Sequence, residues 1–335
     1  MLDICYYVYH DNMKNDMGEM NVYRYLIYGD ILETDIEMPQ LFKADKALEG
    51  YGASAAFDDS NKIIVRRGIE EQDILQAAEE RFIGGDAQRA WFRNSTGIFC
   101  IAEGKCINYE PFDGCNEKYL CSYLLGFCLS LLYWQRGNAA VHCGAVGNGK
   151  GAILITGESG SGKSTLVTRF LDKGYSLVAD DIAVIKCDGN GTNVYPAFPM
   201  QKLCRDAAVK QGFALEMLEY INEAKDKFAV PRTNGFSPCP RRLAALIYLM
   251  PAGVNSVRLT EISGGDKLKL LLDSLFIKRF LPYMEPVSDM MLKYIRIASD
   301  TPMYVLLRPF EGDSTQEQLR LIEECLAAEK TQAYT

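Results

Sequence analysis

The stretch GESGSGKS at residues 157–164 constrains the fold of this 335-residue chain more than any other part of its sequence. It matches the phosphate-binding loop pattern G-x-x-x-x-G-K-[S/T]. The β-branched run AILIT comes directly before it, and KSTLVTRFLDK, with apolar residues at helical spacing, comes directly after it. The stretch therefore predicts a strand, a glycine-rich loop and a helix in an α/β domain that binds a nucleoside triphosphate.

Each residue type in this loop has a physical reason. Glycines let backbone N–H groups turn toward phosphate oxygens, and the N-terminus of the following helix adds its partial positive charge. Lys163 is predicted to neutralise the terminal phosphates, and the Ser164 hydroxyl to bind Mg²⁺. A relic loop that no longer binds nucleotide is the alternative. The predicted nucleotide contacts are Gly157, Glu158, Ser159, Gly160, Ser161, Gly162, Lys163, Ser164 and Thr165.

Two aspartates follow the predicted helix at a spacing that would return them to the level of the loop. A helix from Lys163 to Lys173 runs away from the loop for about 15 Å. The strand YSLVADD then returns by about 16 Å over five residues. If that strand is parallel to the first, Asp180 and Asp181 arrive level with the phosphates. The alternative is that one carboxylate only polarises a loop end or caps a turn.

His142, one of two histidines in the chain, can be placed by similar counting. The segments AVHCGAV and GAILITG flank a hairpin signal at Asn148-Gly149. Counting outward from that turn puts His142 opposite Ile155 or Thr156, and therefore beside the phosphates. There it could tune a carboxylate or contact a phosphate oxygen. A strand histidine with ordinary hydrogen bonds is the alternative.

These residues together favour phosphoryl transfer over simple nucleotide binding. A base next to the terminal phosphate can take the proton of an incoming hydroxyl, and the loop, Lys163 and Mg²⁺ supply positioning and charge neutralisation. Two other functions stay open: a regulatory or assembly module that senses ATP without an acceptor, and a small-metabolite kinase. Carboxykinase chemistry needs a further metal site with histidine, and the second histidine, His10, lies in the N-terminal segment.

The first 117 residues are predicted to form a smaller, β-rich α+β domain that recognises a substrate or partner. Residues 118–335 are predicted to form the nucleotide-binding domain. Strands are predicted at VYRYLIYG and KIIVRRG, a hairpin at GIFCIAEG and KCINYEPF, an edge strand at YYVYH, and a helix at QDILQAAEERF. The uncharged segment at residues 119–135 is too short to span a bilayer, so a buried helix over residues 118–136 is predicted to bridge the domains.

Downstream of the aspartates, a helical stretch is predicted near residues 205–227, followed by a strand at residues 244–249. The apolar segment KLKLLLDSLFIKRFL comes next, with a solvated helix face around Lys278. A strand at residues 303–310 and an amphipathic helix at residues 314–330 close the chain.

Charge and cysteine content narrow the class of protein. The net charge of −8, from 44 acidic and 36 basic residues, argues against nucleic-acid binding. The eleven cysteines show no metal-ligand spacing, and the N-terminus shows no secretory signal, so we expect reduced thiols in the cytoplasm and no membrane association. Cys143 is notable among these thiols because it lies next to the predicted site.

The order His142, GESGSGKS, VADD resembles the HPr serine kinase/phosphorylase family, whose nucleotide core is related to phosphoenolpyruvate carboxykinase. The resemblance implies ATP as donor, Asp180 as catalytic acid/base, Asp181 near the metal and His142 in the active site. Lys163 and Ser164 match that family's phosphate and Mg²⁺ residues. Homo-oligomers are frequent among such proteins.

A weaker likeness extends to a branch of this family found beside peptide-modification genes, through QRG…HCGAV, RRLAALIYL and PMYVLLRPF. It implies a serine hydroxyl on a peptide as acceptor, while similar enzymes act on free serine. Two departures argue against HPr itself and against the reverse phosphorylase reaction. Thr165 stands where the family usually has an acidic residue, and the family's segment for HPr docking is missing.

Three further basic residues have predicted roles. Lys202 and Arg205, after the segment YPAFP, are candidates for a nucleotide or acceptor wall. Arg308, at the end of a predicted buried strand, is expected to form a structural ion pair.

Overall fold

The chain forms a mixed α/β structure with two eight-stranded sheets and one three-stranded sheet. The computed structural model describes residues 21–44, 61–86, 88–189, 191–222, 226–285 and 289–332. The edge strand predicted at YYVYH and His10 lie outside these residues.

The first sheet is built from the N-terminal part of the chain. Its spatial order is β3-β1-β2-β4-β8-β7-β6-β5. Its strands are β1 Tyr23–Ile27, β2 Asp30–Thr34, β3 Phe42–Lys43, β4 Ile63–Arg67, β5 Ile83–Gly85, β6 Arg89–Arg93, β7 Gly97–Ala102 and β8 Cys106–Pro111. The predicted hairpin is confirmed as β7 and β8, and both of its turn residues, Glu103 and Gly104, have positive φ angles of 54° and 62°. The predicted helix is confirmed as α1 Gln72–Glu80.

The uncharged segment forms a buried helix, as its composition predicts. It consists of α2 Glu117–Tyr123, one π-helical turn at Leu124–Cys128 and α3 Leu129–Gln135, and every residue of α3 is buried. Helix α3 contacts β7 of the first sheet and the first strand of the second sheet. One continuous hydrophobic core includes Leu131 of α3 and residues of both sheets. A domain boundary after residue 117 stays a prediction.

The second sheet carries the loop and the aspartates. Its path is β10-β9-β12-β13-β17-β19-β18, with β11 paired to β9 and β10 also paired to β17. Its strands are β9 Ala139–Asn148, β10 Gly151–Thr156, β11 Ser176–Ala179, β12 Ile182–Asp188, β13 Gly191–Tyr195, β17 Arg241–Ala252, β18 Arg258–Ile262 and β19 Met303–Pro309. Both β10 and β11 are antiparallel to β9, which lies between them, so β11 runs in the same direction as β10.

The predicted register of the β9–β10 hairpin is wrong by one residue at the least. Asn148 pairs with Gly151, which makes Gly149 and Lys150 the turn, and Cys143 pairs with Thr156. His142 therefore lies one residue beyond the last pair of the hairpin, toward the glycine-rich loop.

The remaining elements confirm part of the predicted order. The third sheet, in the order β14-β16-β15, contains β14 Met200–Cys204, β15 Glu219–Asn222 and β16 Lys227–Pro231. The remaining helices are α4 Lys163–Asp172, α5 Arg205–Lys210, α6 Gly265–Asp273, α7 Met290–Asp300 and α8 Thr315–Gln332. The helix predicted over residues 205–227 is wrong beyond Lys210, because the chain turns at Gly212 with a φ of +79° and then enters β15.

Helices α4 and α8 pack against each other beside the second sheet. Lys278 is exposed as predicted, but it lies after α6 has ended and not on a helix face. No helix in the described part of the chain combines the length and the apolar character needed to cross a bilayer.

Candidate active site

The glycine-rich loop, Gly157–Gly162, joins the end of β10 to the start of α4, as predicted. Gly157, Gly160 and Gly162 have φ angles of +142°, +83° and +106°. At Gly157 a side chain is also sterically excluded, because a Cβ atom would collide with the carbonyl oxygen of Leu249. The backbone path of this loop therefore requires glycine where the motif has it.

Lys163 folds back over the loop that precedes it. Its Nζ donates hydrogen bonds to the carbonyl oxygens of Gly157 at 2.7 Å and Glu158 at 3.0 Å. Burial and the nearby charge of Lys227 lower the pKa of Lys163 from its usual value. The ammonium thus lies at the mouth of the loop, where an anionic ligand would meet it.

Arg308 contacts the loop from strand β19, which β17 separates from β10. Its Nε donates to the carbonyl oxygen of Ser161 at 2.8 Å, and one terminal nitrogen donates to the carbonyl oxygen of Pro309 at 2.8 Å. The predicted structural ion pair of Arg308 is wrong: it makes no salt bridge with any described residue, and its partners are backbone carbonyls. Its guanidinium thus satisfies one carbonyl oxygen of the loop and one at the end of its own strand.

Both aspartates are held by a single residue of the third sheet, Lys202. Its backbone N–H donates to Oδ2 of Asp180 at 2.7 Å, and its Nζ donates to Oδ2 of Asp181 at 2.7 Å. Asp181 has a φ of +72°, a conformation that aspartate tolerates better than most residues. Lys202 also lines a cavity at this site, so the wall role predicted for it stays a prediction beside its direct contacts with the aspartates. Arg205 instead pairs with Asp226 at 2.7 Å on the surface.

The two carboxyl groups differ strongly in acidity. Burial and the neighbouring charge of Asp181 raise the pKa of Asp180 to about 6, against an opposing hydrogen bond from Lys202. Burial acts in the same direction on Asp181, but the Lys202 ammonium and His142 hold the pKa of Asp181 far below its usual range. The pair therefore combines a permanent anion with a carboxyl group that titrates near neutral pH, a separation typical of acid/base sites.

His142 contacts the same turn from strand β9. Its Nδ1 lies 3.0 Å from the carbonyl oxygen of Asp181 and 3.7 Å from Oδ1 of the same residue. Burial lowers the pKa of His142 from its usual value, so the ring is neutral at pH 7. With two acceptor oxygens near Nδ1, we assign the proton to that nitrogen. Cys143 beside it is fully buried, and burial raises the pKa of its thiol, which keeps the thiol protonated at neutral pH.

A cavity of about 650 Å³ brings nine of the twelve predicted site residues together. Gly157 and Glu158 line a second, larger cavity, and Ser161 is buried. Lys227 at the start of β16 lines both cavities and was not predicted, because nothing in the segment AKDKFAV relates it to the motif. The predicted residues that line the 650 Å³ cavity are His142, Ser159, Gly160, Gly162, Lys163, Ser164, Thr165, Asp180 and Asp181.

The residues present fit a nucleotide with its magnesium ion. Ser164 and Asp181 offer hydroxyl and carboxylate oxygens, the ligand type that Mg²⁺ prefers. Residues 21–332, apart from the undescribed gaps, contain no group of three or more acidic, cysteine or histidine side chains arranged around a metal position. Mg²⁺ commonly takes one or two protein ligands and completes its shell with phosphate oxygens and water, so this donor set suffices.

Comparison with known proteins does not show a family. No family model matches the chain, and no curated protein matches it. Among solved structures, the HPr(Ser) kinase/phosphatase from Coxiella burnetii matches at 15% identity over 58% of this chain and 99% of that chain, with a TM-score of 0.30. Membership of the HPr kinase family therefore stays a prediction, and the geometry of the site carries the functional argument.

Proposed function

We propose that this protein is an ATP- and Mg²⁺-dependent phosphotransferase that moves the γ-phosphoryl group to a hydroxyl, with serine as the expected acceptor residue. One observation carries the proposal: a carboxyl group with a pKa of about 6 shares a cavity with the lysine and serine of a glycine-rich loop. A protein that only holds a nucleotide needs the loop, whereas a transferase also needs a base with this acidity.

In the proposed reaction, Asp180 accepts the proton of the acceptor hydroxyl as its oxygen attacks the γ-phosphorus. A new oxygen–phosphorus bond forms, the bond to the bridging oxygen of ADP breaks, and ADP leaves with the electron pair. Lys163 and the loop N–H groups offset charge on the transferred group and on ADP. Ser164 and Asp181 would hold Mg²⁺, which when bound neutralises phosphate charge and aligns the phosphates.

His142 is proposed as a positioning residue. Its Nδ1–H holds the carbonyl oxygen of Asp181, and its backbone N–H donates to the carbonyl oxygen of Ser274 at 2.8 Å. These bonds fix the turn that presents both carboxylates, which lie between the ends of β11 and β12. A base held in place in this way loses little entropy on reaching the reactive geometry.

The function is tested with γ-labelled ATP and Mg²⁺ in the presence of free serine and of serine-containing peptides. Label on a serine hydroxyl, stable after the nucleotide is removed, supports the proposal. Tight ATP binding with no label on any hydroxyl would contradict it and favour an ATP-sensing module.

Transfer is expected to fall by about tenfold for each pH unit below about 6, because only ionised Asp180 accepts a proton. The contribution of Asp180 to the stability of the folded protein depends on pH in the opposite direction. A folded-state pKa raised above the usual value gives stability that is present at low pH and lost as pH rises through about 6. The measurement is kcat between pH 5 and 8, with circular dichroism at each pH. A flat profile would contradict Asp180 as base.

A further inference from the structure

A second cavity, of about 1080 Å³, is also lined by His142 and Asp181. It lies between α2, the π-helical turn, the loop and the segment that follows α6. Its volume slightly exceeds the range for sites that enclose drug-sized ligands, about 300–1,000 Å³. A free amino acid would leave most of it unfilled, so an acceptor that fits this cavity is larger.

A row of aromatic rings forms one wall of this cavity and starts at the site. The ring of Phe276 lies 5.6 Å from His142, Phe127 lies 4.8 Å from Phe276, and Tyr123 lies 6.0 Å from Phe127. An extended chain advances about 3.3–3.6 Å per residue, so the path from His142 to Phe127 matches about three residues. Aromatic faces at this spacing suit apolar side chains beside the reacting hydroxyl.

Arg279 lies against the Phe127 ring of that wall. Its guanidinium lies 4.5 Å from the centre of the Phe127 ring, is exposed, and makes no salt bridge with the described residues. Four charged residues of the cavity lining already form two ion pairs with each other, Lys202 with Asp181 at 2.7 Å and Lys278 with Glu158 at 3.7 Å. The remaining ionic side chains of the lining are Lys227 and Asp273. Arg279 is therefore placed to meet a carboxylate on a ligand that lies along the rings.

Strand β15, at the edge of the third sheet, contributes one residue to the same cavity. Strand β15 pairs with β16 on one side and with no other strand in the described part of the chain, and its Ile221 lines the cavity. A free strand edge can pair with the backbone of an extended peptide, whereas a small molecule cannot use it in this way.

We propose that this cavity binds the acceptor as an extended peptide segment, with apolar residues flanking the hydroxyl residue and a carboxylate about three residues away that pairs with Arg279. This inference rests on the proposed phosphotransferase function. The hydroxyl would reach past His142 and Asp181, which line both cavities, to Asp180 in the 650 Å³ cavity, while the apolar neighbours would lie against Phe276 and Phe127.

The experiment compares free serine with three peptides under γ-labelled ATP: Glu-Ala-Leu-Ser-Leu-Ala-Glu, the same peptide with both glutamates changed to lysine, and the same with both leucines changed to glycine. The glutamate peptide is expected to exceed the lysine peptide in kcat/KM by about tenfold, mainly through KM, because a rim contact contributes uniform binding. The glycine peptide and free serine are expected to be poorer acceptors than the glutamate peptide.

The matched variants are Arg279→Glu and Arg258→Glu. Arg258 is exposed on β18 and lies outside the cavity lining. Arg279→Glu is expected to reverse the preference between the two charged peptides, whereas Arg258→Glu is expected to keep it. Binding of the fluorescein-labelled glutamate peptide in the presence of ADP gives a second readout that needs no catalysis.

The outcomes separate the inference from the proposed function. Equal labelling of free serine and all peptides, or an unchanged preference in Arg279→Glu, would overturn the peptide site and leave the phosphotransferase standing. With no label on any hydroxyl, the proposed function fails. Saturable peptide binding that weakens in Arg279→Glu would then still support the cavity as a peptide site, and its absence would overturn both.

Discussion

Asp180→Asn is expected to reduce phosphoryl transfer by about 10³-fold or more, within the usual range for loss of a general base. ATP binding should stay within about threefold of wild type, because the loop and Lys163 do not depend on this carboxylate. The asparagine side-chain oxygen can still accept the Lys202 N–H bond that Asp180 receives at 2.7 Å, so the local geometry should survive. The measurement is single-turnover transfer to the best acceptor, together with calorimetric ATP binding.

The stability of this variant provides an internal check. Burial makes ionised Asp180 unfavourable in the folded protein, as its raised pKa shows. A neutral asparagine removes that cost, so the melting temperature at pH 8 should equal or exceed that of wild type. The control is Asp300→Asn, which weakens only a surface contact with Arg296 at 3.5 Å and should leave transfer unchanged. Full activity in Asp180→Asn would show that Asp180 is not the general base.

Much of the site could be predicted because its signals are local in sequence. The loop pattern fixes a strand, a turn and a helix over residues 151–172, and all three are present. The aspartates follow from helix rise and strand rise, and they need only the direction of β11 to be the same as that of β10. That condition holds, although β9 separates the two strands.

The contacts made by Lys202 could not be predicted, because they arise from tertiary packing. A three-stranded sheet brings residues 181 and 202 together. Its strand β15 lies in a segment for which the sequence predicts a helix. Periodicity cannot separate a short strand from a helical turn when glycine and polar residues interrupt the pattern. The contact of Arg308 with the loop could not be predicted for the same reason, since it depends on β17 lying between β10 and β19.

The position of His142 shows a smaller limit on what the sequence could predict. The hairpin is identified correctly from its turn residues, yet a shift of the turn by one position moves the partner of every strand residue. Only the observed pair Asn148–Gly151 sets the register and shows that His142 lies beyond Thr156.

Lys202→Met is the second change expected to have a large effect, a loss of transfer of about 10²-fold at pH 7. The variant keeps the backbone N–H that binds Asp180 and removes the ammonium 2.7 Å from Asp181. Without that cation the pKa values of both aspartates rise. A larger fraction of Asp180 would then be protonated at neutral pH, and the charge of Asp181 would be less well stabilised.

The expected signature of Lys202→Met is a pH profile whose acid limb moves above pH 6, so that the loss of transfer is smaller at pH 8.5 than at pH 7. Lys202→Arg should recover part of the rate, since a guanidinium can also pair with Asp181. Lys173→Met is the matched control: it removes a surface ammonium that pairs with Glu323 at 2.9 Å and should leave the profile unchanged. A uniform loss of transfer at all pH values would instead assign Lys202 a purely structural role, because misfolding lowers the amount of active enzyme without moving the acidity of its base.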